Sequence, residues 1–369
     1  MTKRLALLII AVLAFTGCGI APAPISSSTP FLARAEAFSD LRGGLQYPGN
    51  NILTLDAYDP ALIHTYLFNE RTVFEGNEKL KQDLLEKGKN PGLGVRSLHE
   101  QGITGRGVSV AIIDQNMLLE PPEFVDRIAH YYECSYAFEA GQGSMHGPGV
   151  ASLLVGKSIG VAPEANLYYV AAPSWTRDSA YFAEGLHWII DLNNTLPKDQ
   201  KIRVVSVSSA PSGQGSPFTQ NQELWEEAVK RAQEAGILVL DCRRGYDTGF
   251  IGGGYYDIND PDNLEKVRSG FVDMKELPMV DPNAIIAPCG YRTTVEQYRS
   301  ADYFFRYSAQ AVVSWSIPYV AGVAALGWQI NPELSASQLK EFLFKSAYRN
   351  ERGDLIIHPV AFIEMIKAA

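Results

Sequence analysis

The chain has 369 residues, 46% of them apolar and 20% charged, with a net charge of −9 at neutral pH. That is enough apolar material for a sizeable core in one large α/β domain or two smaller ones. No stretch gathers lysine and arginine into a basic patch, which argues against nucleic acid as a partner.

The chain opens with a basic "MTKR" followed by the apolar run "LALLIIAVLAFT", which is too short to span a membrane comfortably and is patterned as an export signal. The next residues, "FTGCG", resemble the lipobox of bacterial lipoproteins, with Phe15 standing where leucine is usual. The resemblance implies that residues 1–17 are a signal peptide and that Cys18 is lipidated and becomes the new N-terminus. The chain would then be exported and held at the cell membrane; an ordinary secretory signal cut elsewhere is the alternative. The small, proline- and serine-rich stretch at 18–30 reads as a tether. Cys134, Cys242 and Cys289 are too few for a disulfide framework and are expected as core thiols, with a single pair among them as the alternative.

Residues 31–92 are expected as an N-terminal extension that packs on or precedes the main domain at 93–369. Within it, "KLKQDLLEKGK" reads as a helix that Gly88 stops. From residue 102 the pattern changes. Short apolar runs, "VSVAII", "NLYYVAA", "RVVSVSS", "GILVLDC" and "NAIIAP", have the character of strands covered on both faces. Helical stretches separate them, at 178–192, 219–236 and 335–347. Thr219 with Gln222, and Ser335 with Gln338, are spaced as capping boxes, and Gly236 reads as a helix stop. Buried strands alternating with helices predict a doubly wound, mostly parallel α/β sheet with helices on both faces. Ligands bind beyond the C-terminal ends of such strands, and Asp114 stands at one. Near the C-terminus, "VVSWSIPYVAG" continues into "VAALGWQI" as a helix apolar on nearly every side. Ser314 sits at its start, a position that suits a nucleophile and an N-cap equally, and Pro318 lies about one turn in.

Three segments in the order Asp, His, Ser resemble the subtilisin-like serine proteases, the subtilases. "GRGVSVAIIDQN" matches the family's aspartate segment, "HGPGVAS" followed by "GVAPEA" its histidine segment, and "VVSWSIPYVAG" its serine segment; "IIAPCG" is similar to its strand ending in A-P-G. The likeness covers roughly 93–347. It implies a subtilisin-like fold and a serine endopeptidase acting on peptide or protein substrates without a cofactor. Ser314 would be the nucleophile, His146 the general base, and Asp114 the residue that fixes the imidazole's tautomer. No metal-ligand spacing occurs, and the acidic stretch at 257–263 reads as a solvated turn, with calcium as the alternative.

The match has departures. Gln115 and Asn116 follow the aspartate in place of Ser/Thr-Gly, Pro148 replaces a threonine, Val312 and Val313 replace Gly-Thr, and Trp315 replaces a methionine. The asparagine that the family aims at the oxyanion is missing: Gly245 falls about where it should stand, with Arg243, Arg244 and Tyr246 as candidate substitutes. Arg243 and Arg244 also suggest a preference for acidic side chains. Two functional readings follow, a membrane-tethered endopeptidase and a catalytically impaired subtilase that binds peptide or a partner protein.

Overall fold

The structure, a computed structural model, describes residues 34–42, 51–242, 251–270, 283–310 and 312–369. Cys18, the signal and tether segments, and Arg243, Arg244, Gly245 and Tyr246 lie outside the described residues. In chain order the elements begin with β1 (Asn51–Leu53), β2 (Leu67–Asn69), β3 (Thr72–Phe74), α1 (Glu78–Lys87), α2 (Val95–Glu100), β4 (Ser109–Asp114) and β5 (Ile128–Glu133). They continue with α3 (His146–Val155), β6 (Asn166–Ala171), α4 (Ala180–Thr195), β7 (Ile202–Val207), α5 (Gln222–Glu234) and β8 (Leu238–Asp241). The last third holds β9 (Ile251–Tyr255), β10 (Arg268–Ser269), β11 (Ile285–Pro288), β12 (Arg292–Arg299), β13 (Asp302–Ser308), α6 (Val313–Ile330), α7 (Ala336–Lys345), β14 (Tyr348–Arg349), β15 (Leu355–Ile356) and α8 (Pro359–Ala368).

The central sheet runs β5–β6–β4–β7–β8 with every pairing parallel. Side chains of a strand alternate between faces, and the core divides accordingly. Val110 and Ile112 of β4 join α3 and α6 on one face, whereas Ala111 and Ile113 join α4 and α5 on the other. This is the expected doubly wound α/β arrangement. One strand differs: β11 does not enter this sheet but pairs in parallel with β9 and β15 in a second one, ordered β10–β9–β11–β15–β14. Helix α6, apolar on nearly every side, lies against both sheets, which is why it needs no broad polar face.

The N-terminal extension shares structure with the later chain. Strand β2 completes an antiparallel sheet with β12 and β13, pairing Phe68 with Tyr307, and the two rings stack at 5.0 Å. Helix α1 ends at Gly88 as expected, although Gly88 is right-handed there (φ −65°) rather than left-handed. What requires glycine is proximity: an added Cβ would lie 2.5 Å from Thr293 Oγ1 and 2.9 Å from its backbone nitrogen. The Gly88 carbonyl accepts from Thr293 N (2.9 Å), and Thr293 Oγ1 donates to Leu85 O (2.8 Å).

The capping boxes divide. Ser335 and Gln338 form theirs. Thr219 and Gln222 do not: Thr219 N bonds Arg177 O and Gln220 bridges Asp178, holding this segment extended until Asn221, left-handed at φ 54°, caps α5. Gly236 ends that helix at φ +76°. Cys134, Cys242 and Cys289 are buried thiols. Burial pushes Cys134 up to about 11 and Cys289 up to about 12, so neither is a ready nucleophile. No helix among the described residues is long and apolar enough to cross a membrane.

Docking of the extension through Gly88 is testable. Gly88→Ala should lower stability by about 1–3 kcal/mol through overpacking against β12, read as a lower midpoint of denaturant unfolding. A midpoint equal to wild type would contradict the close approach.

Candidate active site

The alternation that buries β4 also sets the direction of Asp114. As the last residue of the strand, Asp114 has the parity of Val110 and Ile112 and turns toward the α3/α6 face. It is only 2% exposed. An isolated carboxylate there would be costly, and it is not isolated. Its Oδ1 accepts the backbone N–H of Gln115 (2.8 Å) and the Nδ1–H of His146 (2.6 Å). His146 is the first residue of α3 and keeps about a fifth of its side chain in contact with solvent. With Nδ1 engaged by the carboxylate, Nε2 is the nitrogen left to accept a proton.

Ser314 lies one residue inside α6. The N-cap is Val312, whose side chain makes no capping bond, so the hydroxyl of Ser314 does not cap this helix. Pro318, four residues on, has no N–H to give to the Ser314 carbonyl. Ser208, just beyond the end of β7, fills that gap: its Oγ–H donates to Ser314 O (2.7 Å), and its own carbonyl accepts from Ser314 Oγ (3.3 Å). The serine is therefore fixed reciprocally to the end of the neighbouring strand. Among the described residues no hydrogen bond joins Ser314 Oγ to His146; the structure pairs Asp114 with His146 and holds Ser314 on Ser208. The backbone N–H of Ser314 belongs to the first turn of α6, where the helix offers no carbonyl partner.

The residues that depart from the expected motifs have partners of their own. Gln115 Nε2 donates to Ser174 Oγ (2.7 Å), the Gln115 carbonyl accepts from the buried Tyr169 hydroxyl, and Asn116 Nδ2 donates to Gln142 O (2.8 Å). The Trp315 indole is 3% exposed and stacks on the His146 ring, with centroids 5.1 Å apart and planes at 26°. Gly149 makes room for it, since an added Cβ would come within 2.9 Å of the indole edge. Sequence reasoning missed Ser208, for which a proline four residues after the serine was the available signal. It also missed the stacking role of Trp315, which no spacing rule reveals.

Other titratable groups are engaged elsewhere. His99 Nε2 meets Val161 O (2.8 Å), and burial holds this histidine below its usual value. His187 meets Arg231, His130 lies against Trp188, and His358 caps α8. In the acidic turn, Lys266 Nζ sits between Asp257 (3.1 Å) and Asp260 (2.9 Å). No group of three or more metal-binding side chains is present among the described residues.

Residues 105–242 match the model of the subtilase family. That span contains Asp114 and His146, and Ser314 lies beyond it. The subtilisin-like protease PopC of Myxococcus xanthus is 21% identical over 291 residues, covering 70% of this chain and 59% of that one. Serine protease AprX of Bacillus subtilis is 27% identical over 278 residues, covering 66% and 62%. The matched region thus spans about six-tenths of the length of these relatives. Among solved structures, fervidolysin from Fervidobacterium pennivorans, a keratinolytic enzyme related to subtilisin, superposes with a TM-score of 0.53 at 17% identity, covering 74% of this chain and 45% of that one.

The fit between Gly149 and Trp315 predicts a coupled pair. Gly149→Ala should cost about 1–3 kcal/mol alone and much less in a Trp315→Met background. Chemical unfolding of the two single variants and the double variant gives the coupling, and additive costs would refute the contact.

Proposed function

We propose that this chain, which carries a subtilase domain, is a serine endopeptidase with Ser314 as nucleophile, His146 as general base and Asp114 as the orienting carboxylate. The supporting observation is the hydrogen bond from His146 to the buried Asp114 carboxylate at the carboxyl end of β4, beside the start of the helix that bears a serine not used for capping. In the reaction the Ser314 hydroxyl leaves the Ser208 carbonyl, gives its proton to His146 Nε2 and attacks the scissile carbonyl. Asp114 keeps the imidazole in the tautomer with hydrogen on Nδ1 and stabilises the imidazolium that forms. The backbone N–H of Ser314, at the positive end of α6, faces the developing oxyanion. His146 then protonates the leaving amine, and water completes hydrolysis by the same relay. Lipidation of Cys18 would tether this activity to a membrane of the exporting cell.

The placement of the Ser314 hydroxyl on Ser208 O supports a second reading, a domain that binds peptide and does not cut it.

A fluorophosphonate probe separates the two. Wild type should be labelled, Ser314→Ala should not, and Asp114→Asn should react about 10,000-fold more slowly, because the histidine tautomer is then wrong. Unlabelled wild type beside a labelled control protease would leave the binding reading. For the tether, Cys18→Ala should move the protein from the membrane pellet to the soluble fraction; an unchanged distribution would refute lipidation at Cys18.

A further inference from the structure

The β12–β13 hairpin carries buried charge that the proposed reaction does not use. Arg306 is 3% exposed and Glu296 1%. In the register of the hairpin Arg306 pairs with Thr294 and Glu296 with Phe304, so Arg306 and Glu296 are diagonal neighbours on one face. Arg42 of the N-terminal segment, itself 4% exposed, pairs with Glu296 Oε1 and with Asp40 (2.7 Å). Two arginines and two carboxylates thus balance in charge across two parts of the chain more than 250 residues apart. The far end of this cluster reaches the candidate site. Arg306 Nη1 lies 2.6 Å from Met145 Sδ, and its Cζ lies 5.3 Å from the centre of the Trp315 ring. Met145 immediately precedes His146, and Trp315 immediately follows Ser314. One buried guanidinium therefore touches the neighbour of the candidate base and the neighbour of the candidate nucleophile.

We propose that Arg306 is a positioning residue: it holds the Trp315 indole flat against the His146 imidazole, and Arg42, through Glu296, completes the charge balance that keeps it there. The hydrogen bond to Asp114 fixes the imidazole at Nδ1, and rotation of the ring plane about the line from Cβ to that atom is left to the packing. A stacked indole removes the rotation, and a desolvated cation on the indole strengthens that packing. Arg306 Nε has no hydrogen-bond partner among the described residues, so the ring and sulfur contacts are what this end of the side chain answers to. A lysine keeps the charge but not the planar fork that spans both contacts.

This inference rests on the peptidase reading for its kinetic consequence only; the orientation of His146 is measurable without activity. The experiment uses full-length protein and records two signals. One is the downfield Nδ1–H proton resonance of His146, assigned by its loss in His146→Gln. The other is fluorophosphonate labelling resolved into a maximal rate and a binding constant. Arg306→Leu should broaden or shift the resonance and lower the maximal labelling rate about 10- to 100-fold, with probe binding unchanged. In a Trp315→Met background Arg306→Leu should add nothing to either signal, because the effect passes through the indole. Should Arg306→Leu fail to fold, Arg306→Lys takes its place in the cycle. Absence of labelling in wild type, with the resonance still moved by Arg306→Leu, would refute the peptidase reading and leave this inference standing. A resonance and a maximal rate unmoved by Arg306→Leu, or equal losses in both backgrounds, would overturn the inference.

Discussion

A carboxylate buried at the end of the central strand has to be answered by hydrogen-bond donors, and in this protein the backbone N–H of Gln115 and a histidine from helix α3 answer Asp114. Much of the site follows from that requirement. The strand must end with its aspartate on the α3/α6 face, α3 must begin on the histidine, and the residues that follow β4 must be tied down. Gln115, Asn116 and Tyr169 do the tying, through Ser174, Gln142 and the carbonyl beside Asp114. Gln115, Asn116 and Trp315, which look like losses from a motif, are in three dimensions replacements with partners.

The same holds at the serine. Pro318 removes one helical hydrogen bond, and the vacant carbonyl is taken by Ser208, which in return receives the serine hydroxyl. A helix terminus and a strand terminus are stapled together at the point where the proposed chemistry needs a fixed nucleophile. The β12–β13 hairpin supplies a second support, with Trp315 in contact with both its arginine and the imidazole.

How much of this the sequence disclosed follows from the range of each force. Strands buried on both faces announce themselves as apolar runs, so β4, β6, β7 and β8 could be placed within about two residues. The Ser335–Gln338 cap is a contact between residues three apart and was equally legible. Thr219 and Gln222 had the same spacing, but a pairing with Arg177 and Asp178 competed for that segment and prevailed. The run at β11 was read correctly as a strand yet belongs to a second sheet, because apolar periodicity does not say which neighbour a strand takes. Asp114, His146 and Ser314 stood out through short motifs. Ser208, Arg42, Glu296 and Arg306 did not, since each acts across a long stretch of chain and none sits in a local pattern.

The antiparallel sheet of β2, β12 and β13 has a consequence for the order of assembly. A ribosome delivers β2 more than 230 residues before the strand it must pair with. Until then Phe68 lacks Tyr307 and the Arg42 guanidinium lacks Glu296. Contacts of such long sequence separation close late and slowly, after the loop entropy between them has been overcome. The central sheet, whose strands follow one another closely, is free to form earlier. The surroundings of His146 are therefore completed only after β12, β13 and the start of α6 have been synthesised, well behind the strands of the central sheet.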